Sequence, residues 1–139
     1  MRAAAFGKTI ALGAMSGMRS MSGPAVLAIN ADEQTTLTRA VPVLAVGEMI
    51  ADKTPFIGNR IDPLPLAGRA FMGAIVGGLI AREEDASIVL GGFIGAATAV
   101  LVAHLAYRAR IYAHDRLGTS AGFIEDGVVV SMGAALSRR

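Results

Sequence analysis

Apolar and polar positions alternate along this chain in long blocks rather than with a strand's two-residue period. From Ala86 to Ala103 the sequence runs ASIVLGGFIGAATAVLVA, with no charge, and continues apolar to Tyr107 apart from His104. About 20 apolar residues rising 1.5 Å each cross a hydrocarbon core of about 30 Å. This block predicts a transmembrane helix. Leu66 to Ala81 predicts a second, broken only by Arg69 near one end, where a long cationic side chain can snorkel to the interface. Only Arg82-Glu83-Glu84-Asp85 separate the two, so they should form an antiparallel hairpin.

The other blocks are shorter or interrupted. Ala3 to Met18 carries Lys8, then meets Arg19-Ser20-Met21-Ser22-Gly23-Pro24 before AVLAI resumes; Ala40 to Ala51 contains Pro42 and Glu48; Ala121 to Leu136 contains Glu125-Asp126. Proline is favoured in the first turn of a helix, so a second half-helix is expected to start at Pro24. The expected fold is one all-α membrane domain over residues 1–139, a bundle of four to five transmembrane segments with the first broken near Arg19. Residues 121–137 either span or re-enter.

Composition agrees. The chain is 53% hydrophobic and 17% charged, against roughly a quarter charged for a soluble domain, and 17 of its 139 residues are glycine. A soluble helical bundle is the competing reading, but it leaves the uncharged block unexplained. A signal peptide would need an unbroken apolar stretch and an Ala-x-Ala site, and Lys8 interrupts the first while nothing supplies the second. Net charge +2 with no basic run argues against nucleic acid. The absence of cysteine excludes disulfides and thiolate metal sites.

Loop charge gives a topology. Arg108, Arg110 and Arg116, with titratable His114, form a basic link, and the Arg82–Asp85 turn is acidic. The positive-inside rule puts the link in the cytoplasm. Strict alternation then places the Lys53–Pro65 loop inside, the Asn30–Thr38 loop outside and the N-terminus inside, in a bacterial cytoplasmic membrane. Gly13-x-x-x-Gly17, Gly73-x-x-x-Gly77 and Gly91-x-x-x-Gly95 each put two glycines on one helix face, where backbones can approach closely. Glycine is also common in membrane helices for no such reason, and the echoes GAMSG/GAIVG and GFI/GFI are too short to show a repeat.

Ionisable groups inside a bilayer cost on the order of 3 kcal/mol each. Arg19 lies in the break of the first segment with Ser20 beside it. The N–H groups and positive dipole end of the following half-helix should share its pocket and attract an anion, either a carboxylate of the bundle or a ligand. Glu48 and Asp52 are four apart on one helix face, and Lys53 follows. Asn59, Arg60 and Asp62 lie in the next loop, and Arg69 opens the next helix. Glu125 and Asp126, about 100° apart, cannot both face one partner. Arg19, Lys53, Arg60 and Arg69 thus face Glu48, Asp52, Glu125 and Asp126, a set suited to internal pairing. A guanidinium cannot readily shed its proton, so Arg19 should have one of those carboxylates in reach. No Walker loop or His-Glu-x-x-His is present, and His104 and His114 are ten apart, away from metal-ligand spacing. His104 is expected to hydrogen-bond within the bundle.

Together, GMRSMSGPA (Gly17 to Ala25), GEMIADKTP (Gly47 to Pro55), NR-x-x-P (Asn59 to Pro63), GRAFMGAIVGG (Gly68 to Gly78) and the late Glu125-Asp126 resemble the uncharacterised bacterial membrane family termed domain of unknown function 4126. The resemblance maps its arginine, glutamate, Asp-Lys and second arginine onto Arg19, Glu48, Asp52-Lys53 and Arg69. It implies a polytopic helical membrane protein and no set activity. The functions left in competition are a small transport or permeation protein, a membrane scaffold or lipid-headgroup binder whose charges pair internally, and an enzyme acting on a lipid phosphate held by Arg19 and Arg60. The first leads, as a homo-oligomer whose pathway carries Arg19, Ser20, Glu48, Asp52, Lys53, Asn59, Arg60, Arg69, Glu125 and Asp126. Its partners would be the bilayer and a small solute, ion or anionic headgroup. No catalytic residue, metal or cofactor is expected.

Overall fold

The computed structural model describes residues 1–33, 35–51, 61–117 and 120–137. They fold as six helices: α1 (Ala3–Met18), α2 (Ser22–Ile29), α3 (Thr36–Ala51), α4 (Pro63–Glu83), α5 (Ile88–Leu117) and α6 (Ser120–Ser137). No strand occurs among the described residues. The chain is all-α, as the block pattern predicts.

The α4–α5 hairpin is the frame. Asp85 takes a left-handed conformation, φ 50°, and the amide of Ala86 donates to Ala81 O at 2.8 Å while that of Asp85 donates to Arg82 O at 3.2 Å. These are the two bonds of a Schellman stop, which satisfies carbonyls that the helix end would otherwise orphan. Ser87 then starts α5, its hydroxyl oxygen accepting from the Leu90 amide at 3.3 Å. Asp85 is the one non-glycine residue at positive φ among the described residues. Asp85→Gly should therefore hold or raise stability, by about 0.5 kcal/mol, since the relieved strain slightly exceeds the added unfolded-state entropy. A loss of thermal stability in detergent would contradict this description of the turn.

Small residues form the seam along which the helices meet. A methyl built on Gly77 would overlap the Gly91 carbonyl oxygen and come within 2.8 Å of its carbon. One on Gly73 would lie 2.5 Å from Gly95 O and 2.8 Å from Ala99 Cβ. The third motif joins them: Gly13 faces Gly95 O at 3.0 Å, and Gly17 abuts Ala99 O. The three glycine pairs are thus one packed seam of α1, α4 and α5.

Alongside an apolar core that includes Leu12, Met15, Val76 and Ile80, the bundle buries several polar groups and leaves large apolar ones outside. Fully or nearly buried side chains include Thr9, Ser16, Arg19, Ser22 and Arg69, whereas Val43, Leu64, Phe71, Val89, Phe93 and Phe123 are exposed. Among the described residues two helices are long and apolar enough to cross a membrane: α4, with 39% of its most apolar 18-residue stretch buried, and α5 over Ile88–Ala113, with 22%. A soluble core helix would be mostly buried, and α5 turns most of its apolar surface outward.

Three expectations need correction. The segment from Arg108 to Arg116 is not a separate link, because α5 runs on as helix to Leu117. Arg69 does not snorkel outward: it lies one turn from Gly73 on the seam face and is 4% exposed. The third concerns the broken first segment. It reverses direction instead of crossing: Gly23 of α2 packs on Ser16 and Leu12 of α1, and residues 30–32 line the same cavity as Lys8 and Glu83. Arg2 Nε lies 3.6 Å from Glu84 Oε2, so the N-terminus is at the same end as the α4–α5 turn, not opposite it. The physical reason is length. At 1.5 Å per residue, α1 reaches about 24 Å and α2 about 12 Å, and the break between them turns the chain back.

Candidate functional site

Proline makes the break. A continuous helix through residues 3–29 would need a Pro24 amide hydrogen and would drive its ring against the Ser20 carbonyl. Instead α1 stops at Met18, Arg19 is extended (φ −142°, ψ 122°), and α2 begins at Ser22, with Pro24 in its first turn. The expected start at Pro24 is thus two residues late. Ser22 holds the corner: its hydroxyl lies 2.6 Å from Met15 O and 2.8 Å from Arg19 O, adding to the amide bonds that Met15 O accepts from Arg19 and Arg19 O from Ser22. Gly23 has to be glycine, because a methyl there would overlap Ser16 Oγ and sit 2.5 Å from Leu12 O.

The start of α2 receives no cap from its own sequence. The cap comes from α3: Glu48 Oε1 accepts from the Ser20 amide at 2.9 Å and the Ser20 hydroxyl at 2.5 Å, and Oε2 accepts from the Met21 amide at 2.9 Å. A carboxylate here satisfies two exposed N–H donors and faces the positive end of the helix dipole. Between the two expected occupants, a bundle carboxylate or a ligand, the fold supplies the carboxylate.

Arg19 turns the other way. Its side chain is 1% exposed, and Nη2 makes a close ion pair with Asp126 Oδ1 of α6, a carboxylate 15% exposed. This is the partner that an unshieldable guanidinium requires, and it fixes α6 against the break. Glu125, about 100° further round the helix, lines a separate cavity of about 210 Å³ with Met18, Ala106, Arg110 and Ile124.

A larger cavity, about 650 Å³, opens among α1, α2, α3 and α4. Its walls include Met21, Pro24, Leu27, Met72, Val76 and Leu79. Met21 is the residue whose amide holds Glu48, so the cavity adjoins the capped break. Its other charged lining, Lys8, Asp32 and Glu83, was not singled out from the sequence. Only the cavity connects these residues of α1, of the bend after α2 and of α4, and no spacing along the chain encodes that.

The structure brings together Arg19, Ser20, Glu48 and Asp126, and buries Arg69. Asp52, Lys53, Asn59 and Arg60 lie outside the described residues. His104 bonds within its own helix, Nδ1 2.8 Å from Val100 O, and lines a shallow apolar groove on the outer face of α5; it does not bridge the bundle. One motif with catalytic spacing, Gly118-Thr119-Ser120-Ala121-Gly122, matches Gly-x-Ser-x-Gly. That elbow works on a strand-to-helix turn, and here helix α5 precedes it and Ser120 opens α6. No group of His, Asp and Glu fit to hold a metal occurs among the described residues. Comparison with family models, with curated proteins and with solved structures finds no match to this chain.

Proposed function

We propose that this chain is a small integral membrane protein through which a small solute or ion permeates, with the cavity of α1–α4 as its vestibule and the Glu48-capped break as its closed end. The observation that carries this is a cavity lined in part by a broken helix pair that turns back on itself. Irregular backbone at membrane depth persists only where protein buries it or it lines a cavity, and discontinuous helices build the sites of many transporters.

In this proposal α3, α4, α5 and α6 are the spans, and α1–α2 dips in and returns. The basic end of α5 faces the cytoplasm of a bacterium, so the N-terminus, residues 30–32 and the acidic turn lie outside. The motif order supports membership of the family termed domain of unknown function 4126. The cavity lies within one copy, so a homo-oligomer would array separate sites and need not share one pathway between subunits. The scaffold reading keeps one observation of its own, the dry Arg19–Asp126 pair, which serves as a structural clasp beside the vestibule.

Liposome shrinkage and swelling under an osmotic step reads permeation without prior choice of solute. Reconstituted protein should speed re-equilibration for at least one class among small polyols, amino acids and salts. Glu48→Ala, which removes the cap, should change that rate several-fold. Traces for wild type and Glu48→Ala that both match empty liposomes would end the permeation reading.

A further inference from the structure

We infer that the α1–α4 cavity binds a zwitterionic amphiphile: an ammonium and an anionic group a few bonds apart, carried on an apolar body. The inference rests on the membrane reading above, and it names what the vestibule admits. Sites for small organic ligands commonly enclose about 300–1,000 Å³, mostly apolar with a few placed polar groups. This cavity of about 650 Å³ fits that description. Met21, Met72, Leu27, Val76 and Leu79 supply apolar wall, and methionine adapts to irregular shapes.

The cavity carries charges of both signs, and two of them, Lys8 and Glu83, are not paired with each other. Lys8 is half-buried and is the only charge within α1. Among the described residues no carboxylate pairs with its ammonium, and Glu83 pairs with no cation. Asp32 lines the same cavity. An anionic group seated beside Lys8 would give that cation the partner its apolar surroundings deny it. An ammonium on the same ligand would meet Glu83. A simple anion is opposed by the two carboxylates, and a simple cation by Lys8. A head carrying both charges partners Lys8 and Glu83 together, and the apolar walls take the remainder.

The test uses the full chain in an uncharged maltoside detergent and titration calorimetry. The probes are lysophosphatidylethanolamine and phenylalanine, which represent a lipid source and a soluble source of the same head chemistry. Lysophosphatidylglycerol and dodecylamine serve as the purely anionic and purely cationic comparisons. One of the two zwitterions should bind one per chain, at least about tenfold more tightly than either comparison. Lys8→Met and Glu83→Gln should each weaken it about tenfold, and Lys8→Arg should retain it, with helical content unchanged in all three. Absence of saturable zwitterion binding would overturn the inference. So would equal binding of a singly charged comparison, or affinity indifferent to Lys8→Met and Glu83→Gln, the pattern of a lysine that merely snorkels. Calorimetry needs no flux, so the two proposals fail separately: binding without permeation removes only the permeation reading, and permeation without binding removes only this one.

Discussion

Arg19→Ala is expected to cut the yield of folded, monodisperse protein severely, by a destabilisation of about 3–5 kcal/mol, because it strands the Asp126 carboxylate against a site 1% exposed. The cost arises from the partner left behind more than from the pair's net worth. Hence Arg19→Ala combined with Asp126→Ala should recover part of the yield, and thermal unfolding of the four proteins closes the cycle. If the double variant also regains any permeation activity, the pair is a clasp; if it regains yield alone, Arg19 takes part in the function. A single Arg19→Ala variant as stable as wild type would refute the buried pairing.

The second large effect lies on the helix seam. Gly77→Leu should prevent α4 and α5 from closing, because the added carbon meets the backbone of Gly91 and no flexible side chain is available to yield. Overpacking costs about 1–3 kcal/mol where side chains can shift. With backbone on both sides, the upper end or beyond is expected. Gly68→Ala on the same helix is the matched control. Nothing lies within 4 Å of a Cβ there, so it should be neutral or gain up to about 1 kcal/mol of helix propensity. Comparable losses at Gly77 and Gly68 would mean that the seam is not where the helices touch.

Legibility in the sequence divides along a physical line. Helices whose identity depends on local pattern were readable: the uncharged run from Ala86 marks α5, and Gly73, Gly77, Gly91 and Gly95 mark its contact with α4. The break was readable too, since Pro24 forbids a continuous helix whatever surrounds it. The direction of the chain after the break was not. A turn at Arg19-Ser20 and a straight passage have the same local composition, and contacts far along the chain decide between them, with Gly23 on Leu12 and Arg2 beside Glu84. Alternating loop charge assumes that every segment crosses, and it therefore put the N-terminus and the α4–α5 turn at opposite ends, where the structure has them at one. The site divides likewise. An arginine in an apolar segment demands a carboxylate, which is elementary electrostatics. That Asp126 answers it and Glu48 caps α2 follows from packing across more than a hundred residues in one case and 28 in the other. Lys8, Asp32 and Glu83 stayed invisible because each alone is an ordinary interfacial charge.

In the proposed function the reversal of α1–α2 makes the cavity a vestibule, and its sidedness can be measured directly. The chain has no cysteine, so single cysteines at Ala3, Ala31, Glu84 and Tyr112 can be labelled in intact cells by a membrane-impermeant maleimide, and again after permeabilisation. Ala3→Cys, Ala31→Cys and Glu84→Cys should all react from one side, the outside, and Tyr112→Cys only after the cells are opened. Labelling of Ala3→Cys and Glu84→Cys from opposite sides would show that the first segment crosses the membrane, and the vestibule would not exist.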